Sequence, residues 1–193
     1  FGWLFPDCWK APRKMKISVV IPSIGRPSFQ KVYDAAQEAD EVIVSKTGKQ
    51  LVENLNEGIS KASGDIIVFL SERGEPKKYW ITDMLLAFEK INNDGLVSFH
   101  PNIVQAGAVT RSYLNNYLGG YFFWPDYIHY HADQELGERA RRDGKYVEAL
   151  DIIIEHKKPA NDSYQKINDY AAEKDSIVYY KRERLNFPNI RVT

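Results

Sequence analysis

The 193-residue chain has a single cysteine, Cys8. That excludes a disulfide framework and any zinc site built on cysteines. Net charge is lacking too. Twenty-six basic residues balance 26 acidic ones, so no whole-molecule field points to nucleic acid or an anionic membrane. No apolar run approaches the roughly 20 residues needed to cross a bilayer. Residues 1–14 mix Phe1, Trp3, Leu4, Phe5 and Trp9 with Asp7, Lys10, Arg13 and Lys14, without the continuous apolar stretch of a signal peptide. The expectation is a cytoplasmic protein whose first 14 residues form an extension docked by its aromatics. Two nucleotide fingerprints are missing as well. No Gly-x-Gly-x-x-Gly follows the first apolar run, which argues against a dehydrogenase. Thr47-Gly48-Lys49 lacks the spacing of a phosphate-binding P-loop.

What is present is periodicity. Ile17 to Ile21 is an apolar run stopped by Pro22, followed by Gly25, Arg26 and Pro27. This reads as a buried strand and its exit loop. Phe29, Val32 and Ala36 recur at helical spacing, as do Leu51, Leu55, Ile59 and Ala62, and then Ile81, Met84, Leu85, Phe88 and Ile91. Between them lie apolar runs at 41–44, 66–70 and 96–99. Strands alternating with helices predict an α/β fold, a mostly parallel sheet with helices on both faces. Ligands of such sheets bind beyond the carboxyl ends of the strands, here at loops 22–28, 45–50 and 71–76. Further on, the pattern predicts a strand over 107–111, a helix over 112–118, an aromatic stretch to His131, a helix over 133–143 and a strand over 146–154. A single domain over 15–160 is expected, with a polar tail, 161–193, packed on it.

Four segments in order resemble family 2 glycosyltransferases of the GT-A (Rossmann-like) fold. Lys16-Ile-Ser-Val-Val-Ile-Pro-Ser-Ile-Gly-Arg-Pro27 is similar to the family's opening strand and loop. Asn54 to Leu70 is similar to its second helix and third strand. Ala106 to Leu114 resembles the start of its acceptor-side wall. Ala132-Asp-Gln-Glu-Leu-Gly-Glu-Arg-Ala-Arg-Arg-Asp-Gly144 resembles the helix that carries the catalytic base, and Ile152-Ile-Ile-Glu-His156 a strand ending in a metal-binding histidine. The sequence departs from the family where an Asp-x-Asp signature would hold a divalent metal. That place reads Ser71-Glu72-Arg73-Gly74-Glu75.

The resemblance implies a transferase that moves a sugar from a nucleotide-diphosphate sugar to an acceptor hydroxyl, with inversion and with Asp133 as general base. Asp before a helix also serves as an N-cap. The implied nucleotide-sugar contacts are Pro22, Ser23, Gly25, Arg26, Ser45, Lys46, Asn56, Ser71 and Arg73. Glu72, Glu75 and His156 are the implied ligands of Mn²⁺ or Mg²⁺, since hard cations take carboxylate oxygens. Arg73 offers another route, a guanidinium that neutralises diphosphate charge without metal. Trp124, Tyr127 and His131 are the acceptor candidates, because aromatic faces suit sugar rings. The acceptor itself stays open. An inactive relative used as a binding or assembly module is the competing expectation, and a nucleotidyltransferase a further one.

Overall fold

The computed structural model describes residues 15–46, 50–155 and 165–189. Residues 1–14 of the expected extension lie outside them, as do Thr47-Gly48-Lys49 and His156.

Strand β1 (Ile17–Pro22) is buried along its whole length. It sits between β2 (Glu41–Ser45) and β3 (Ile66–Phe69), parallel to both. A strand covered on both faces needs a continuous apolar run rather than an alternating one, and β1 and β3 have it. Val19, Ile21, Ile66 and Val68 point to one layer, where α1 (Phe29–Ala36) and α3 (Trp80–Glu89) deliver Val32, Ala36, Trp80, Met84 and Phe88. Val20, Ile67 and Phe69 point to the other, against Val52, Leu55 and Ile59 of α2 (Leu51–Lys61).

The sheet is mixed at its far side. Strand β6 (Gly107–Thr110) runs antiparallel between β3 and β5 (Leu96–Ser98), and β7 (Tyr146–Glu148) returns parallel to β5. The order is β2-β1-β3-β6-β5-β7. The strand expected over 146–154 is two strands. After β7 the chain leaves this sheet, and β8 (Ile153–Glu155) pairs antiparallel with β4 (Gly74–Pro76) in a separate ribbon. That ribbon forms directly behind the β3 exit, where a loop was expected.

Two helices complete the second layer beside α4 (Arg111–Asn116). Helix α5 (Ala132–Arg142) buries Leu136 and Ala140 against the sheet. Helix α6 (Gln165–Arg184) comes from the polar tail, where no element was expected. Its buried residues include Ala171, Asp175, Tyr179 and Arg182. Only half of these are apolar, so the helical stripe is hidden from hydrophobic periodicity. The Arg182 guanidinium donates to both oxygens of Glu135 at 2.8 Å and lies 3.9 Å over the ring of Trp124. No helix among the described residues is long and apolar enough to cross a membrane.

Close packing between α2 and β1 depends on Gly58. A Cβ there would come within 2.4 Å of Val20 Cγ1. In an exposed helix, Gly→Ala stabilises by up to about 1 kcal/mol. Here overpacking reverses the sign, and Gly58→Ala is expected to cost about 1–3 kcal/mol in denaturant unfolding. A gain in stability would contradict this packing.

Candidate active site

The carboxyl ends of β2, β1 and β3 lie side by side, and each opens into a segment carrying a predicted site residue. Pro22, the last residue of β1, pairs with Ser45, the last of β2. Ser23 continues this contact by donating its N–H to the Ser45 carbonyl at 2.9 Å. Ser45 is buried and its hydroxyl has no hydrogen-bond partner among the described residues. Lys46, next along, is exposed, with its ammonium 5.0 Å over the ring of Phe29 at the start of α1. Ser71 follows β3, half-buried, and its carbonyl accepts from Gly74.

The β1 exit loop is organised by Glu72. This residue is only 4% exposed. Its carboxylate accepts from the Ser23 hydroxyl at 2.6 Å and from the backbone N–H groups of Ile24, Gly25 and Arg26 at 3.1, 3.2 and 3.4 Å. Its backbone carbonyl accepts from the Ser28 hydroxyl. Gly25 has φ +81° and a Cβ there would meet nothing within 4 Å, so glycine is required by the turn and not by packing. These contacts make Glu72 the tie of the exit loop, a task beside the metal ligation expected of it. Three of the four donors, Ser23, Gly25 and Arg26, fall on Oε1, and Ile24 alone falls on Oε2. Glu75 lies on β4, half-buried, its backbone opposite Ile154. Among the described residues there is no group of three His, Cys, Asp or Glu side chains that could hold a metal ion. His156, the third expected ligand, lies outside them.

The opposite wall is the segment 121–133. Phe122 and Phe123 pack edge-on against Phe69 at the end of β3. Asn56 donates from its amide to the Phe123 carbonyl at 2.8 Å, and its own Oδ1 is buried without a partner among the described residues. Asp175 of α6, fully buried, accepts the backbone N–H groups of Ile128, His129 and Tyr130 at 2.7–2.8 Å. His131 then takes a left-handed conformation, φ +60°, and starts α5.

Asp133 is half-buried in the first turn of that helix and accepts the Gln134 N–H at 2.9 Å. Burial pushes its carboxyl above the ordinary 3.8, although backbone hydrogen bonds and the nearby His129 and His131 pull the other way. His129 is held below its ordinary 6.5, mainly by burial. Arg73 and Arg26 act in the same direction, and Asp133 and Asp175 oppose them. The ring of His129 therefore feels the exits of β1 and β3 and the start of α5 together.

The three acceptor candidates are not placed to meet a substrate. Trp124 and Tyr127 are 5% and 3% exposed. The indole N–H donates to Asp126 and the phenol to Glu135, so both polar ends are satisfied internally and both rings belong to the core. His131 is engaged through both ring nitrogens, with Gln134 and Ser176, and stacks on Tyr179. It joins α5 to α6. The residue that sequence reading left out is Asp175, whose partners are backbone groups 45–47 positions away and leave no motif.

With this geometry in place, comparison with known proteins decides the family. The family model of Glycosyl transferase family 2 matches residues 30–147, more than half of the chain. The chain belongs to glycosyl transferase family 2. Its fold matches crystal structures of glucosyl-3-phosphoglycerate synthase from Mycobacterium tuberculosis. For the complex of that enzyme with Mg²⁺ and uridine diphosphate, the TM-score is 0.63 at 16% identity, over 91% of this chain and 81% of that one. For its complex with Mn²⁺, UDP-glucose and phosphoglyceric acid, the TM-score is 0.62 at 16% identity, with the same coverage. No curated protein matches in sequence. At such identity the likeness establishes the GT-A fold, as the order of motifs led one to expect.

The Asp175 clamp generates a test. Asp175→Asn keeps one acceptor oxygen but turns an amide N–H₂ toward backbone donors. A loss of about 1–3 kcal/mol is expected, read as a lower melting temperature. Faster amide exchange at residues 128–130 should accompany it. Unchanged exchange there would show that the clamp does not hold the segment.

Proposed function

We propose that this family 2 member transfers a sugar from a nucleotide-diphosphate sugar to an acceptor hydroxyl, with inversion, and that Asp133 is the general base. The observation that carries the reading is the setting of Asp133. It is a carboxylate whose basicity burial has raised, at a helix start beside His129, which also feels Arg26 and Arg73 of the strand exits. A base gains strength as its pKa climbs toward the working pH. In the proposed step, Asp133 takes the acceptor's hydroxyl proton as the oxygen bonds to the anomeric carbon. The anomeric carbon–oxygen bond to the donor phosphate breaks, and its electron pair leaves with the nucleoside diphosphate.

The exit loop after β1, with Pro22, Ser23, Gly25 and Arg26, is proposed to line the nucleotide together with Ser45, Lys46, Asn56, Ser71 and Arg73. Support comes from their shared sheet edge and from the buried hydroxyl of Ser45 and amide oxygen of Asn56, both without partners among the described residues. The matched synthase structures hold uridine diphosphate or UDP-glucose with Mg²⁺ or Mn²⁺, which favours a uridine donor as the first to test. No step here is routed through a metal, because the described residues do not form a ligand set for one.

Asp133→Asn is expected to lower turnover by about 10²–10⁴-fold. Its melting temperature at pH 7 should hold or rise. The sign follows from linkage. A carboxyl whose folded pKa is raised loses stability as pH rises from its unfolded value, 3.8, to the folded one, and the neutral amide escapes that loss. Wild-type turnover should fall with decreasing pH through a value above 3.8. Full activity in Asp133→Asn would sink the assignment.

A further inference from the structure

Three cations follow the carboxyl ends of the strands just described. Lys46 follows β2, Arg26 lies in the exit loop of β1, and Arg73 follows β3 by four residues. In the sheet these strands are consecutive, in the order β2-β1-β3. Adjacent strands therefore each deliver one positive charge to the same edge. Lys46 bridges toward the loop by covering Phe29. Arg26 and Arg73 are near enough to each other's side of the cleft that both act on His129. Arg73 is exposed, whereas its neighbour Glu72 is buried. The two side chains of one turn thus have opposite tasks. The acid faces inward and ties down the loop, and the guanidinium faces out at the edge.

A donor diphosphate brings negative charge that must be neutralised when it is bound and again when it leaves. A divalent ion held by carboxylates is one solution. Here Glu72, deeply buried at this edge, already accepts Ser23, Gly25 and Arg26 on Oε1 and Ile24 on Oε2. Ligation through Oε1 would have to displace three donors that tie down the loop. A guanidinium needs no such exchange. It matches phosphate in a two-pronged geometry and keeps its charge at any working pH.

Building on the transferase reading above, we infer that the chain holds the donor diphosphate without a divalent metal. Arg73 is the principal countercharge, Arg26 and Lys46 assist it, and Glu72 serves as the internal anchor of the loop. The same guanidinium then stabilises the nucleoside diphosphate as the electron pair of the broken carbon–oxygen bond reaches it.

The test is calorimetric titration of the full chain with UDP, GDP, CDP and dTDP, each beside its monophosphate, in EDTA and in Mn²⁺. One or more diphosphates should bind equally well, within about twofold, in both buffers. Its affinity should fall steeply with added salt. Arg73→Ala should weaken that diphosphate about tenfold or more and leave the monophosphate nearly unchanged, and Arg73→Lys should recover part of the loss. A merely structural arginine would weaken both nucleotides alike or neither, and either result overturns the inference. Binding that requires Mn²⁺ overturns it too, while leaving the transferase reading intact. No nucleotide binding in either buffer overturns both.

Discussion

The second layer of the molecule is organised by charge buried between α5 and α6. Glu135, 2% exposed, receives Arg182 on both oxygens, the phenol of Tyr127 and, more distantly, Arg139. Burial and the Glu135 carboxylate both hold the Tyr127 phenol in its protonated form, far above its ordinary range. Such a pair gains little over a hydrophobic contact of equal shape, yet removing one partner leaves an uncompensated charge at a cost of about 3–5 kcal/mol. The network therefore acts as a specification. It permits one docking of α6 and one path for the chain between Phe123 and His131. Asp175 extends that control to the backbone, and the path ends with His131 in a conformation that non-glycine residues avoid. Asp133 inherits its position from all of this.

The first layer works differently. Around β1 the core is apolar on both sides, and precision comes from close packing at Gly58 and from the strand ladder. Polar control appears at the two ends of the strand: the buried Ser18 hydroxyl donates to Glu41 and accepts the Gly64 N–H at one, and Glu72 gathers the loop at the other. Two acids thus frame the cleft with opposite surroundings. Glu72 accepts four donors, three of them on one oxygen. Asp133 accepts one N–H at 2.9 Å, and burial makes its ionisation harder. The loop's anchor and the proposed base thus sit in environments that favour the charged and the neutral form respectively.

The α/β alternation was legible because β1, β3 and the helices that cover them bury apolar side chains at regular spacing. The helix that Asp133 opens was legible from Leu136 and Ala140 on one face and Gly144 at its end, whereas a role for Asp133 came from the family resemblance. The β4–β8 ribbon was not, since three-residue strands containing Gly74 and Pro76 have no periodicity to read. Helix α6 escaped for another reason. Its inward face includes Asp175 and Arg182, which are buried only because partners 45–47 residues distant satisfy them. Trp124 and Tyr127 were misassigned to the acceptor for the same cause. Whether an aromatic ring is wall or core depends on whether its polar tip finds a partner, and Asp126 and Glu135 are identifiable as partners only in three dimensions.

The clamp on residues 128–130 also sets an order of events during synthesis. Asp175 is translated 45 residues after Tyr130, a delay of roughly two to nine seconds at ordinary elongation rates. The central sheet, with α1, α2 and α3 packed upon it, consists of segments already made by then. The backbone N–H groups of residues 128–130 find their acceptor when α6 follows. A growing chain can thus pack the central sheet before Asp175 arrives to fix the backbone path that leads into α5.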